Sequence, residues 1–522
     1  MSLLEAYIIT FIASFCSLVI EMVAGRILAP FVGVSIYTWT SIIGVILAGI
    51  SIGAYIGGKL ADRFTSRKTL GWLLLLSGVA ALAIIPLANF VAAYRFPFSL
   101  MWRIFTVTAL IFFIPGCILG TISPVVVKLT LKNLDRAGNV IGKIYAFSTL
   151  GAIAGTFMTG FVLISWMGTR NIVLVMGIIL MIAAFGSGML FRTGRTFTAF
   201  LVVAVFLVTG AYSLAGRIPG IERYYYYKES DYYTIKLTKT TSADRKTPLQ
   251  AMVLDNLIHS FVALDNPLHI EYEYERIYAE VLRWLYSNDA AFRSLTIGGG
   301  GYTFPRYMET SFPAAKIDVV EIDPQVTKVV YQHLGLPEQS RIRTFNTDGR
   351  WFVMNCKERY DLIFTDAFND LSIPYHLTTK EFAEQLSGIL APKGILMSNV
   401  IDNFQKGAFL PSFMKTLAAV FGEDNVHLIS VNPDFSNLKI STFIVIAHKG
   451  TLDIQAFDNW LKQKLGSQAK SALVSKELTK SFLDKKDAMV IRDDYAPVDN
   501  LIAPVFEERF GHKRERKGST NK

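Results

Sequence analysis

"LTIGGGGYTFPRYMETSFPAAKIDVVEIDP", residues 295–324, decides how the second half of the chain is read. It holds a short apolar run, four consecutive glycines, and a second apolar run that closes on Glu321. Glycines after a first strand let backbone approach a ligand closely, and an acidic side chain at the end of the second strand, about 20 residues on, accepts hydroxyl hydrogens of a ribose. The pairing points to a nucleoside site. The spacing departs from GxGxxG, which argues against a dinucleotide. A run of glycines also serves a tight turn with no ligand, so the neighbouring strand ends must be read as well.

Strand-like runs at 295–297, 317–320, 362–365 and 394–400 alternate with helical segments. That alternation predicts a doubly wound, Rossmann-like α/β core of the methyltransferase type over 286–510, with ligands at the carboxyl ends of its parallel strands. Upstream, "YYYYKESDYYTIKLTKT" (224–240) and "PLQAMVLDNLIHSFV" (248–262) alternate β-branched or aromatic residues with polar ones, and "YEYERIYAEVLRWLY" (272–286) has helical spacing. A small antiparallel sheet and a linking helix are expected over 217–285. Two further carboxylates fall at strand ends: Asp348 in "FNTDGRWF" and Asp366 in "DLIFTDAFND". Each also fits a loop or cap aspartate. Their coincidence with Gly298, Gly299, Gly300, Gly301 and Glu321 at four consecutive strand ends favours one shared cleft.

The first half is unlike this. The chain of 522 residues is 52% hydrophobic and only 18% charged, and its apolar excess lies almost wholly before about residue 215. Seven segments approach the roughly 20 residues a bilayer crossing needs: 4–28, 38–58, 69–91, 102–122, 141–166, 171–191 and 197–215. A multi-span helical membrane region over 1–216 follows, in a plasma (inner) membrane, with a basic tail at 511–522. The loops "GKLADRFTSRK", "KLTLKNLDRAGNVIGK" and "FRTGRT" concentrate Lys and Arg. By the positive-inside rule they and the N-terminus are cytoplasmic, and seven crossings place the α/β domain outside. The formal net charge of +10 sits largely in these loops and in "HKRERKGSTNK", so it reports topology and not nucleic acid. Three cysteines, Cys16, Cys117 and Cys356, form no disulfide framework or metal pair, and no metal is expected. Glu21 and Arg26 interrupt the first span, as a functional charge or as a local pair.

The segments "YYTIKL", "MVLDNLIHS", "EYEYERIYAEVL", "LTIGGGG", "VVEIDPQV", "NTDGR" and "DLIFTDAFND", in that order, resemble the spermidine synthase (polyamine aminopropyltransferase) family across about 224–450. The resemblance implies a transferase in which an amine attacks the carbon beside the sulfonium of decarboxylated S-adenosylmethionine and releases methylthioadenosine. It assigns the ribose to Glu321, the adenine to Asp348, the attacking amine to Asp366 with help from Tyr274, and a homodimer. Three departures accompany it. The aspartate of the family's GGGDGG is Gly301 here, its second acceptor-side aspartate is Asn369 with Asp370 one place off register, and its strand glutamine is His259. A diamine needs carboxylates to hold its cations. The departures therefore weigh against putrescine as acceptor and open three alternatives: another amine, intact S-adenosylmethionine, or ring closure of the substrate on itself. "GGKLADRFTSRK" and "GKIYAFSTLGAIAGTFMTG" also resemble short stretches of major facilitator transporters, so a second reading is a transporter with a nucleoside- or polyamine-sensing domain. A third is a degenerate domain kept for interaction.

Overall fold

The computed structural model describes residues 1–505 apart from 34, 94–99, 132, 189–222, 256, 368–372, 433, 435–439, 466–471 and 485–487. It divides into two compact units, one built from the N-terminal helices and one from Arg223–Lys228 and the residues from Tyr232 onward.

In the first unit, five stretches among the described residues are long and apolar enough to cross a membrane: Leu3–Ala29, Ile36–Arg63, Arg67–Val91, Met101–Thr130 and Ala137–Ser187. The last has 51 residues. As one rod it would rise about 77 Å, more than twice a hydrocarbon core of ~30 Å. It breaks at Gly168, whose φ of 73° and ψ of 159° are non-helical, and so supplies two of the segments expected from the sequence. The seventh segment, 197–215, lies outside the described residues. Small residues let these helices touch backbone to backbone. A Cβ on Gly53 would run into the Cys117 carbonyl, and one on Gly151 into that of Phe11. At one end of the bundle the Met1 amino group donates to the Leu129 carbonyl, Arg67 pairs with Glu5 at 2.7 Å, and Lys128 pairs with Asp62 at 2.8 Å. The N-terminus and the first two basic loops therefore share that end.

The second unit opens with an antiparallel sheet in the order β1 (Tyr226–Glu229), β2 (Thr234–Thr241), β3 (Pro248–Leu254), β4 (Leu257–Val262). After the helix Glu273–Leu285 come β5 (Arg293–Ile297), β6 (Lys316–Val320), β7 (Arg343–Phe345), β8 (Tyr360–Thr365), β9 (Leu390–Asp402), β10 (Val426–Ser430), β11 (Ser441–His448) and β12 (Ala472–Leu473). They form one eight-stranded sheet, ordered β12-β10-β11-β9-β8-β5-β6-β7. The four strand runs expected from the sequence are β5, β6, β8 and β9, all parallel. The sheet is mixed, however, because β11 pairs antiparallel with β9, and β10 antiparallel with β11. Strand direction leaves no mark on strands buried on both faces, so an all-apolar run such as "STFIVIAH" does not announce it.

From β5 the chain winds outward first to β6 and β7, then on the other side to β8 and β9. The switch point lies between β5 and β8, and its crevice opens at their carboxyl ends. The helix Glu273–Leu285 roofs this region because its apolar residues fall on one face. Ile277, Tyr278 and Leu282 join Ile235, Leu237 and Met252 of the small sheet, Phe364 of the large one and Phe304 of the helix Thr303–Ser311 in a single core. The Tyr278 ring lies 5.0 Å from Phe364 and 5.4 Å from Phe304.

Candidate active site

The glycine turn after β5 is shaped by contacts that tolerate no side chain. Gly298 has φ 99°, a region open to glycine, and a Cβ there would strike the Asp366 carbonyl. The next two N–H groups turn to β6: Gly299 donates to Glu321 Oε2 at 2.8 Å and Gly300 at 3.3 Å, while Asp323 N–H donates to Oε1 at 3.0 Å. Glu321 is 5% exposed, and burial pushes its pKa up against the pull of these N–H groups. Three of its roughly four acceptor positions are thus already used. Gly301 faces away, against β4. Its N–H donates to Ser260 Oγ at 2.6 Å, and a Cβ on it would come within 2.6 Å of Ser260 Cβ.

Asp348 is the N-cap of the helix Gly349–Asn355, accepting from Arg350 N–H and Trp351 N–H at 2.9 Å each. Its other oxygen meets His376 Nε2 at 3.0 Å. Burial would raise this carboxyl, but the Trp351 N–H, His376 and the Arg350 N–H together hold it below the usual aspartate range.

Asp366 follows β8 at the switch point. The Tyr274 hydroxyl donates to its Oδ2 at 2.7 Å and Asn399 Nδ2, near the carboxyl end of β9, to its Oδ1 at 3.0 Å. Burial and then the Asp366 charge lift the Tyr274 pKa far above its ordinary value, so the phenol stays protonated and can only donate to the carboxylate. The next residue, Glu275, is 8% exposed, and its Oε2 has no hydrogen-bond partner among the described residues. Burial, and then the neighbouring Asp366 charge, push its pKa up to about 8.

One cleft of about 450 Å³ gathers these groups, a volume typical of small-molecule sites. Of the residues singled out in the sequence, His259, Tyr274, Gly298, Gly299, Gly300, Glu321, Asp348 and Asp366 line it; Gly301 does not. His259 Nδ1 lies 2.9 Å from the Leu257 carbonyl of its own strand. Asn369 and Asp370 lie outside the described residues. The sequence reading passed over Glu275, Asn399 and His376, which also line the cleft. Glu275 carried a signal, an acid within the apolar spacing of its helix, whereas Asn399 and His376 carried none. Among the described residues no group of three or more His, Cys, Asp or Glu is placed to hold a metal ion.

Residues 288–454 match the spermine/spermidine synthase domain family. A polyamine aminopropyltransferase of Chromobacterium violaceum is 34% identical over 165 residues, 31% of this chain and 61% of that protein. Polyamine aminopropyltransferase 2 of Aquifex aeolicus is 22% identical over 468 residues, 87% of this chain and 89% of that protein. The chain spans 34%, 51% and 61% of the length of three curated relatives that it matches over shorter stretches. Among solved structures, a probable spermidine synthase from Corynebacterium glutamicum aligns with a TM-score of 0.44 and 21% identity, covering 51% of this chain and 96% of that one. Residues 288–454 are therefore similar to spermine/spermidine synthase domains, and the chain is similar to polyamine aminopropyltransferases over stretches of differing length.

Proposed function

We propose that this chain is a membrane-attached aminopropyltransferase-like enzyme whose cleft binds a nucleoside sulfonium of the S-adenosylmethionine type and releases methylthioadenosine. The observation that carries the proposal is the Tyr274–Asp366–Asn399 constellation, set beside the glycine turn and Glu321 at one switch point. Glu321 takes a ribose hydroxyl at its remaining acceptor position, and Asp348 receives the adenine amino group. The Tyr274 and Asn399 donors fix the Asp366 carboxylate, leaving it lone pairs toward the cleft. An ammonium held there gives a proton to Asp366. The freed nitrogen lone pair attacks the carbon next to sulfur, the C–S bond breaks, and its electrons neutralise the sulfonium. Alignment of nucleophile, carbon and leaving sulfur supplies most of the acceleration, and the base adds to it. The full chain, purified in detergent and given each sulfonium with a panel of amines, is expected to release methylthioadenosine. No release with any pair would leave the domain a binding module. Release from a sulfonium without an added amine would identify the ring-closing variant.

For the membrane unit we propose a multi-pass arrangement with the α/β unit on the side opposite the N-terminus. The N-terminus and first two basic loops share one end, which supports a cytoplasmic assignment for that end. The side given to the α/β unit follows from the sequence alone, in which the apolar segment 197–215 has about the length a last crossing needs. A cysteine introduced at Asp289 into a variant lacking the three native cysteines is expected to react with a membrane-impermeant maleimide on intact cells. Labelling only after lysis would mean that 197–215 does not cross and that the domain faces the cytoplasm.

A further inference from the structure

The chain beyond residue 454 lies outside the stretch that matches the synthase domain family, yet one part of it is laced to the helices of the α/β unit bond by bond. On the helix Phe409–Phe421, the Lys415 ammonium donates to the Ala488 carbonyl at 3.2 Å. Met489 N–H donates to Ser412 Oγ at 3.2 Å and Ile491 N–H to Thr416 Oγ1 at 2.9 Å, both hydroxyls coming from fully buried residues of that helix. At the start of the helix Lys380–Ile389, Lys380 N–H donates to the Ile491 carbonyl at 2.8 Å, and Asp493 N–H to Glu381 Oε2 at 3.0 Å. The path of 488–493 is thereby fixed, and it delivers one carboxylate, Asp493.

Asp493 meets Arg350 as a two-pronged pair, Nη1 to Oδ1 at 2.7 Å and Nη2 to Oδ2 at 2.5 Å. Arg350 is the second residue of the helix that Asp348 caps, and its N–H is one of the two donors to Asp348 Oδ1. Its Nη1 also donates to the His376 carbonyl at 3.1 Å and to Thr379 Oγ1 at 3.5 Å. The His376 ring returns to Asp348, with Nε2 3.0 Å from Oδ2. Asp348, Arg350 and His376 thus close a ring of contacts. Asp348, Pro374, His376 and Leu377 line the cleft, whereas Arg350 and Asp493 stand behind it. The Arg350 side chain is only 16% exposed, and a guanidinium so enclosed needs an anion to hold its fork in one orientation. Asp493 is the only carboxylate it pairs with among the described residues.

We propose that Asp493 is a positioning residue for the nucleoside: through Arg350 it fixes the Tyr375–Leu377 turn, and through His376 the direction of the Asp348 carboxyl. The inference rests on the reading of Asp348 as the adenine acceptor, and adds that a segment outside the family match sets the affinity there. Asp493 itself is 44% exposed, and ion pairs open to solvent on one side contribute little to stability. Its loss should therefore be felt in binding more than in folding.

The test is calorimetry with methylthioadenosine on the full chain in detergent, with the Tm of each variant measured beside it. Asp493→Asn, which keeps the shape and removes the charge, is expected to weaken methylthioadenosine by roughly tenfold, the scale of one hydrogen bond, with little change in Tm. Asp493→Glu, which keeps a carboxylate, should recover most of that affinity. Arg350→Lys keeps the charge without the fork and should weaken binding to a similar degree. Combining it with Asp493→Asn should add little, because both act through one link. The exchanged pair, Arg350→Asp with Asp493→Arg, separates positioning from support: it restores an ion pair but offers no donor to the His376 carbonyl, so Tm should stay near wild type while affinity stays low. Wild-type affinity in Asp493→Asn would overturn the inference, as would affinity and Tm falling and recovering together across the series, which is the behaviour of a strut. Should the exchanged protein not fold, Asp493→Asn and Arg350→Lys still decide. If wild type fails to bind methylthioadenosine at all, the nucleoside reading falls and this inference with it.

Discussion

The two halves of the cleft are built on opposite principles. On the β5–β6 side the carboxylate is matched by the protein's own backbone: Glu321 accepts three N–H groups and ties the glycine turn to the next strand. On the β8–β9 side Asp366 meets only neutral side chains, and two buried oxygens, Glu275 Oε2 and Asn399 Oδ1, have no hydrogen-bond partner among the described residues. The first half would stand without a ligand, whereas the second is electrostatically unfinished. Removing a group should therefore lower both stability and binding on the first side. On the second it should lower function and leave stability the same or higher, the usual relation between active-site strain and stability.

The comparison is probed hardest at Asp366. Asp366→Asn keeps the shape and the Asn399 neighbourhood but cannot take a proton. Turnover is expected to fall by roughly 10²- to 10⁴-fold, the range of general-base catalysis, with methylthioadenosine affinity and Tm unchanged. A parallel fall in nucleoside affinity would merge the two halves into one functional unit. At Glu321 the opposite pattern is expected. Glu321→Gln turns an amide N–H₂ toward N–H donors, so both Tm and methylthioadenosine affinity should drop, each by an amount near 1–3 kcal/mol. A Tm loss with unchanged affinity would remove the ribose assignment and leave Glu321 as a strut.

Gly301 separates what the sequence tells from what packing tells. As a departure from a resembled motif it reads as a lost charge, which suggests that an aspartate could be restored. The structure gives a steric reason instead, because the Cβ of any larger residue would meet Ser260 Cβ at 2.6 Å. Gly301→Asp alone is expected to destabilise by about 1–3 kcal/mol, as overpacking does, and Ser260→Gly in the same chain should recover part of that loss. Full stability in the single variant would show that β4 yields easily and that the slot is usable after all.

Much of the site was legible because its signals are local. Glycine at a strand end and a carboxylate about 20 residues later occupy fixed places in a βαβ unit, and β5, β6, β8 and β9 declare themselves as short apolar runs. The rest depends on contacts that sequence spacing does not encode. The antiparallel edge β10–β11–β12 reads as further apolar chain. Asn399 lies amid a buried strand with nothing to mark it until Asp366 is placed opposite. Asp348 follows the ordinary rule for Asp before Gly and caps a helix, yet its second oxygen reaches His376, which comes from the 3-10 turn Tyr375–Leu377, 28 residues on. In "EYEYERIYAE" Glu275 is set apart from Glu271, Glu273 and Glu280 only by falling within the apolar spacing of its helix, and the packing of that helix is what buries it.

That burial gives the finest test of the contrast, and it needs no ligand. The folded pKa of Glu275 is raised to about 8, above the ordinary glutamate range that the unfolded chain would show. Between those two values the folded state holds a proton that the unfolded state has given up, so the folded chain binds more protons and stability must fall as pH rises. The stabilisation from protonated Glu275 is complete below the ordinary glutamate range and is lost by the time pH passes about 8. Thermal denaturation of the full chain at a series of pH values should show this downward slope in wild type. In Glu275→Gln, which has nothing to ionise there, the slope should be shallower and the Tm above pH 8 higher than that of wild type. Glu321 is the internal comparison: burial also raises its pKa, but its three N–H donors stabilise the ionised form, so Glu321→Gln should lower the Tm across the same range. If both variants shifted the curve in the same direction, the two carboxyls would be held alike, and the division of the cleft into a finished and an unfinished half would not survive.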